Sequence, residues 1–213
     1  TLSSGDKLYL DGGTHTYFHE SSNDIVQLVS GVDDDGDVRA FNMAPKSGAG
    51  DGNCIYGYHA GSNIDSSSIQ NTYFGNFAGD ATHSTAASNT GIGYIALSYL
   101  TTGDYNTAIG KGSMYAMTEG EGSTGCGMNT LDAETKGKYS TAMGVNALTG
   151  QNLTSATDVF NTAIGYQTGF AMSTGLKNTL LGAKAGDAIT TGSKNICIGY
   201  NAEISAVGTD NEI

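Results

Sequence analysis

Two acidic side chains, Asp104 and Glu121, stand seventeen residues apart in segments that otherwise read alike, "GDYNTAIG" and "GEGSTGCG". If such segments stack as neighbouring rungs, the two carboxylates lie about 5 Å apart, a separation that suits a retaining glycosidase. Lys138 takes the same place in the next segment, "GKYSTAMG". A ladder of surface charge is therefore the plain explanation, and we assign no catalytic residue.

Other reactive groups are as weakly organised. "DDDGD", Asp33 to Asp37, gathers four carboxylates around a glycine, but the D-x-[DN]-x-[DN]-G spacing and closing Glu of a calcium loop are missing. A solvated acidic hairpin tip is the expectation. His15, His19, His59 and His83 are scattered; the first two share a strand face but lie roughly 13 Å apart, too far for one metal ion. Cys54, Cys126 and Cys197 follow no zinc or redox spacing and read as free, mostly buried thiols. No metal and no cofactor is expected. Tyr58, Tyr94, Tyr166 and Tyr200 occupy one recurrent place beside a glycine and could stack on sugar rings. Asn152 and Thr154 sit in an insertion, where Asn152 also fits a glycosylation sequon.

What must position these groups is a repeat. "NTAIG" appears at Asn106 and again at Asn161, and aligning on it gives nine copies, beginning at Asn53, Asn71, Asn89, Asn106, Ser123, Ser140, Asn161, Asn178 and Asn195. The step is 17 or 18 residues except for one of 21. Within a copy the second residue is Thr in seven of nine, the fourth is apolar, the fifth is always Gly and the eighth is Ala, Ser or Thr. Such a period is too short for two helices and a turn, and two fixed glycines would each cost a helix roughly 1 kcal/mol. Each copy is thus read as one coil of a parallel β-solenoid, with "TAIG" as its strand.

Stacked coils turn positions into columns about 4.8 Å apart, so nine coils make a rod of roughly 40 Å. The Asn/Ser column is expected to form a side-chain ladder that satisfies the corner backbone. Column four is expected to fill the coil, and column three then faces away from it. Neither column holds a charge in any copy. One coil has only one inside, so the second dry face requires another chain, and the sequence predicts an obligate oligomer around a common axis.

Composition agrees with this architecture. Glycine occurs 32 times, proline once and tryptophan never, and 14% of residues are charged, against roughly 25% in ordinary globular chains. A net charge of −12 without any basic cluster disfavours nucleic acid as a partner. No apolar run is long enough to insert into a membrane as a helix. Residues 1–48 lack the repeat. There, "KLYLDGGTHTYFHE" predicts a β-hairpin and "DIVQLVS" (24–30) a third strand, which together make a small N-terminal β collar. The rod runs over 49–203, with 204–213 as the start of a C-terminal continuation. The 21-residue step comes from "TGQNLTSATDVF" (149–160), whose four extra residues are expected to bulge outward. The opening Thr1 and the closing "TDNEI" suggest a processed or excised piece.

"NTAIGYQTGF", "NTLLGAKAG" and "NICIGYNAE" resemble the repeats of bacteriophage tail-fibre proteins and, more distantly, the head domain of trimeric autotransporter adhesins. "KLYLDGG" with "YFHESSNDIV" is similar to the segment before such repeats, and "DNEI" to the one before a cleaved C-terminal chaperone. The resemblance implies an extracellular homotrimer of β-rolls on the virion that attaches to a host polysaccharide or outer-membrane receptor. No catalytic residue of a family carries over. The adhesin head is the second choice, since the period is longer than the adhesin unit and the chain has no coiled-coil stalk or membrane anchor. A capsule-degrading tailspike depolymerase and an ice-binding solenoid are further alternatives. The Thr strand, lying beside the most apolar positions, argues against ice binding.

Overall fold

The computed structural model describes residues 52–65, 67–81 and 85–213 in full and, before them, the backbone of four strands. These are β1 (Lys7–Tyr9), β2 (Thr16–Glu20), β3 (Val26–Val32) and β4 (Val38–Asn42), joined as an antiparallel meander with Lys7 opposite His19 and Leu28 opposite Phe41. The expected hairpin and third strand are present, and β4 is an addition. The "DDDGD" segment, His15, His83 and the boundary at residue 48 lie outside the described residues.

From residue 54 the chain settles into its repeat. The coil strands are β5 (Cys54–Tyr56), β6 (Thr72–Phe74), β7 (Thr90–Ile92), β8 (Thr107–Ile109) and β9 (Thr124–Cys126). A short β10 (Gly137–Lys138) precedes β11 (Thr141–Met143), and β12 (Thr157–Asp158) precedes β13 (Thr162–Ile164), β14 (Thr179–Leu181) and β15 (Ile196–Ile198). β5 to β9, β11 and β13 to β15 pair in parallel with like positions in register, for instance Thr90 with Thr107 and Ile109 with Cys126. β4 joins β5 antiparallel, so thirteen strands form one sheet, while β10 and β12 form a separate parallel pair. The described chain is all-β without a helix, and its repeat region is a parallel β-solenoid with one coil per copy.

The corner ladder is made from both ends of the amide. Each Asn accepts the backbone N–H of its counterpart one coil on, as Asn89 Oδ1 does from Asn106 N at 2.8 Å. Its Nδ2 donates across the coil to a carbonyl fourteen or fifteen residues later, as Asn106 does to Gly120 O at 2.8 Å and Asn71 to Ala86 O at 2.8 Å. Asn71, Asn106, Asn178 and Asn195 are fully buried, so these bonds answer groups that water does not reach. The ladder continues into Glu212, whose N–H donates to Asn195 Oδ1 at 2.9 Å. Glycine at column five is equally obligatory. Gly110 has φ +131°, and a Cβ there would meet the Gly127 carbonyl oxygen at 2.5 Å. A side chain at this bend would hold the coils apart.

One expectation is reversed. Column three, not column four, fills the coil: Tyr73, Ala108, Ala142, Ala163 and Leu180 are buried, whereas Phe74, Ile109, Met143, Ile164 and Leu181 are exposed. The reason is parity. The column-one amide must point inward to reach the far carbonyl, and alternation then sends position three in and positions two and four out. The interior is filled by pairing column three with column nine. Ile55 and Tyr73 face Gly61 and Gly79, and Leu180 faces Gly186; where column three shrinks to Gly91, Ala108, Gly125 and Ala142, column nine supplies Leu97, Met114, Leu131 and Leu148. The four large residues have 0% exposure, and a Cβ on Gly79 would lie 2.5 Å from the Tyr73 ring. Total volume per coil is thereby kept near constant. In the seventh coil both Ala163 and Gly169 are small, and Leu148 and Leu180 close in from either side.

The cysteines obey the same parity. All three are free, but only Cys197, in column three, is buried; Cys54 in column two is exposed and Cys126 in column four is half-buried. The expectation of mostly buried thiols is corrected accordingly.

Candidate functional site

Three surfaces come from this construction. The first is the outward face of the strand row, where the Thr column is half-buried and column four open: Tyr56 41%, Phe74 52%, Ile92 36%, Ile109 39%, Met143 42%, Ile164 37% and Leu181 45% exposed. Tyr56 and Phe74 stack on one another at 4.7 Å. No charge interrupts the row, and its contiguity separates it from singly exposed apolar residues.

The second is the tyrosine column. Tyr94, Tyr166 and Tyr200 are 48%, 50% and 79% exposed. Tyr58 is half-buried against His59 and Phe77, and Phe77 bridges it edge-on to Tyr94. Tyr166 and Tyr200 are two coils apart, roughly 10 Å along the axis, with only Ala183 between them in the column. The four tyrosines therefore form two separate groups.

The third lies around the insertion. Thr154, Ser155 and Ala156 are exposed as expected, but Gln151, Leu153 and Val159 turn inward. Glu134, one coil earlier, is 1% exposed, and its Oε1 accepts the N–H groups of Thr135 (2.9 Å), Lys136 (3.1 Å), Gly137 (2.7 Å) and Leu153 (3.0 Å). Its Oε2 accepts Gln151 Nε2 at 2.9 Å, and Gln151 Oε1 accepts Asn161 Nδ2 at 2.8 Å. Glu134 and Gln151 occupy the column that Leu100, Met117, Met172 and Ile189 fill elsewhere, in the two coils whose corner is Ser123 or Ser140 instead of Asn. The long polar side chains replace what the shorter serines cannot span. Asn152 is exposed; its Oδ1 accepts the Thr135 hydroxyl at 3.0 Å and its N–H donates to Ser173 O at 2.9 Å.

Next to this insertion the paired carboxylates are engaged. Lys138 Nζ lies 3.1 Å from Glu121 Oε2, and Tyr139 OH donates to Glu121 Oε1 at 2.5 Å. The Tyr139 bond first, and Lys138 second, hold the Glu121 carboxyl below its usual range. Asp104 Oδ1 accepts the Ala87 N–H at 2.7 Å. Among the described residues no three metal-binding side chains meet, and no helix is long and apolar enough to cross a membrane. Fold and surfaces thus define a β-solenoid repeat protein with one apolar face open. No protein-family model matches the chain, and neither a curated protein nor a solved structure is detectably similar to it.

Proposed function

We propose that this chain is a structural segment of a bacteriophage tail fibre, on the virion surface, that assembles as a homotrimer and binds host cell-surface glycan without catalysis. The observation that carries the reading is the open, uncharged column-four row, from Tyr56 to Leu181. A row of this length, roughly 34 Å, is covered when two sister chains bring the same row to a common axis, because stacking repeats every contact from coil to coil. Attachment then draws on three weak sites acting together, which raises apparent affinity without new contacts. The tyrosine groups and Asn152 with Thr154 are the candidate contacts. The repeat resemblance supports the same assignment, with an adhesin head as the alternative.

Mass in solution tests it. The expected value is three times the 21.8 kDa chain mass, and a short bismaleimide should join chains through the outward Cys126. A stable monomer would overturn the assembly. Engagement of Glu121 and Asp104 weighs against a depolymerase, and release of reducing ends from host capsule would reinstate it. An ice-binding surface is disfavoured, because the Thr row shares its face with the large apolar column-four residues. A monomer with thermal hysteresis would decide for it.

A further inference from the structure

The residue just before each Asn/Ser corner is left-handed in every coil where it is described from Gln70 onward: Tyr105, Tyr139 and Phe160 have φ of +60°, +61° and +54°. Bulky residues adopt that conformation only at some expense, whereas Gly and Asn adopt it easily. Gly122 and Asn211 occupy the same column. Three aromatics nevertheless stand there, 70%, 40% and 49% exposed, so neither backbone preference nor burial accounts for them.

Their arrangement is set by neighbours. Tyr139 stacks on Phe160 with centroids 5.5 Å apart and planes 16° from parallel. On its other side Tyr139 lies across Gly122, where a Cβ would come within 2.6 Å of the ring. The bond to Glu121, itself held by Lys138, fixes the hydroxyl. The β10–β12 ladder brings the two rings into adjacent coils. Within this column Tyr139 and Phe160 are therefore a preformed aromatic pair, with Tyr105 two coils before Tyr139 across Gly122; the three make an interrupted strip along the rod, and the coil rise of ~4.8 Å is close to the length of one sugar residue.

We infer that this strip binds a neutral polysaccharide lying along the rod axis, with the apolar faces of successive sugar rings against Tyr105, Tyr139 and Phe160 and their hydroxyls within reach of the Glu121–Lys138 pair. Neutrality follows from charge: Asp104, Glu121 and Asp158 are balanced by Lys138 and by Lys177 and Lys194, which follow Phe160 in the same column, so the strip offers no net positive field, and the chain's net charge of −12 disfavours uronic or sialic acid polymers. The inference rests on the glycan-binding part of the proposed function but assigns it to different residues.

The test uses the full chain with mannan, galactan and dextran as neutral probes and alginate as an acidic one, followed by affinity electrophoresis and solution mass. Tyr105→Asn and Phe160→Asn suit the left-handed backbone, so both variants should fold. At least one neutral polymer should be retained, with binding weakened roughly tenfold or more in each variant, as for an aromatic anchor, and unchanged in Phe170→Ala, an exposed aromatic outside the strip. Alginate should not be retained. Binding that survives both variants but falls in Tyr166→Asn overturns the strip and leaves glycan attachment standing. Equal retention of alginate, or a change of assembly mass in Tyr105→Asn or Phe160→Asn, also overturns it, the latter because a sister chain is then the occupant. No retention of any polymer removes both readings.

Discussion

Ala108 and Ile109 are neighbours in one three-residue strand and leave it in opposite directions, Ala108 fully buried and Ile109 39% exposed. On the inner side, size is under reciprocal control in most coils: column three and column nine exchange volume, from Tyr73 with Gly79 to Ala108 with Met114, and where both are small, at Ala163 and Gly169, Leu148 and Leu180 of the adjacent coils fill the space. On the outer side no described residue changes size in step with the passage from Phe74 to Ile92 to Cys126 to Met143. Both columns are apolar, so composition does not tell them apart. What separates them is whether a residue's volume is matched by another residue of the same chain.

That difference is broken most severely by removing atoms from the interior. Glu134→Ala strips the acceptor from four backbone N–H groups and from Gln151. The expected loss is on the order of 4 kcal/mol, since buried donors left unpaired are costly. Urea unfolding at neutral pH measures it, and an unchanged midpoint would mean that the carboxylate does not organise the insertion.

A milder test exchanges volume instead of deleting it. Met114→Gly leaves a cavity at a cost of about 3 kcal/mol, partly offset because φ at Met114 is +52°. Ala108→Leu overpacks by about 2 kcal/mol. The double variant should lose about 3 kcal/mol instead of the roughly 5 kcal/mol expected from the two separate losses, a coupling near 2 kcal/mol. Strict additivity in a thermal or urea cycle would refute reciprocal packing.

On the outer face the same scale of change should barely register in one chain. Ile109→Asp is expected to alter the stability of an isolated protomer by no more than about 0.5 kcal/mol, yet to lower the mass of the assembly, because three copies of a carboxylate would meet in a dry seam. If the protomer itself unfolds, column four is structural within the chain and the contrast between the faces disappears.

Much of this was readable beforehand. The period, the strand at "TAI", the glycine bend and the amide ladder follow from residue types that recur because stacking puts them in identical surroundings. The direction of the strand faces did not follow from apolarity, which both share; the signals were the reciprocal sizes of Ala108 and Met114 or Tyr73 and Gly79, and the need for Asn106 to reach Gly120. Tyr105, Tyr139 and Phe160 were missed as a group because alignment began at the corner and left out the residue before it. Glu134 and Gln151 were hidden in an apolar column, and only their coincidence with Ser123 and Ser140 marks them. β4 is marked by only five residues, "VRAFN", directly after an acidic run, too little alternation to stand out as a strand.

The smallest effect lies where the inner columns reach the ninth coil. Glu203 takes the column-nine place opposite Cys197, and although the residue is exposed overall, partial desolvation of its carboxyl, then its hydrogen bond with Asp187, push it up to about 7. The Ala188 N–H, 3.3 Å from Glu203 Oε1, opposes the shift. Because the folded value lies above the unfolded one, near 4.5, the folded coil holds the proton more tightly. Its contribution is complete below pH 4.5 and is lost as pH rises through 7. Solvent screening keeps the consequence local: amide exchange at Gly186, whose N–H donates to Ala202 O in the ninth coil at 2.8 Å, corrected for its intrinsic pH dependence, should quicken between pH 5 and pH 8, while Ala108 and Ala142 stay protected. Glu203→Gln should flatten the profile. A Glu203 carboxyl that titrates near 4.5 by NMR would show that this inner position is already as wet as the outer face, and that reciprocal burial ends before the ninth coil.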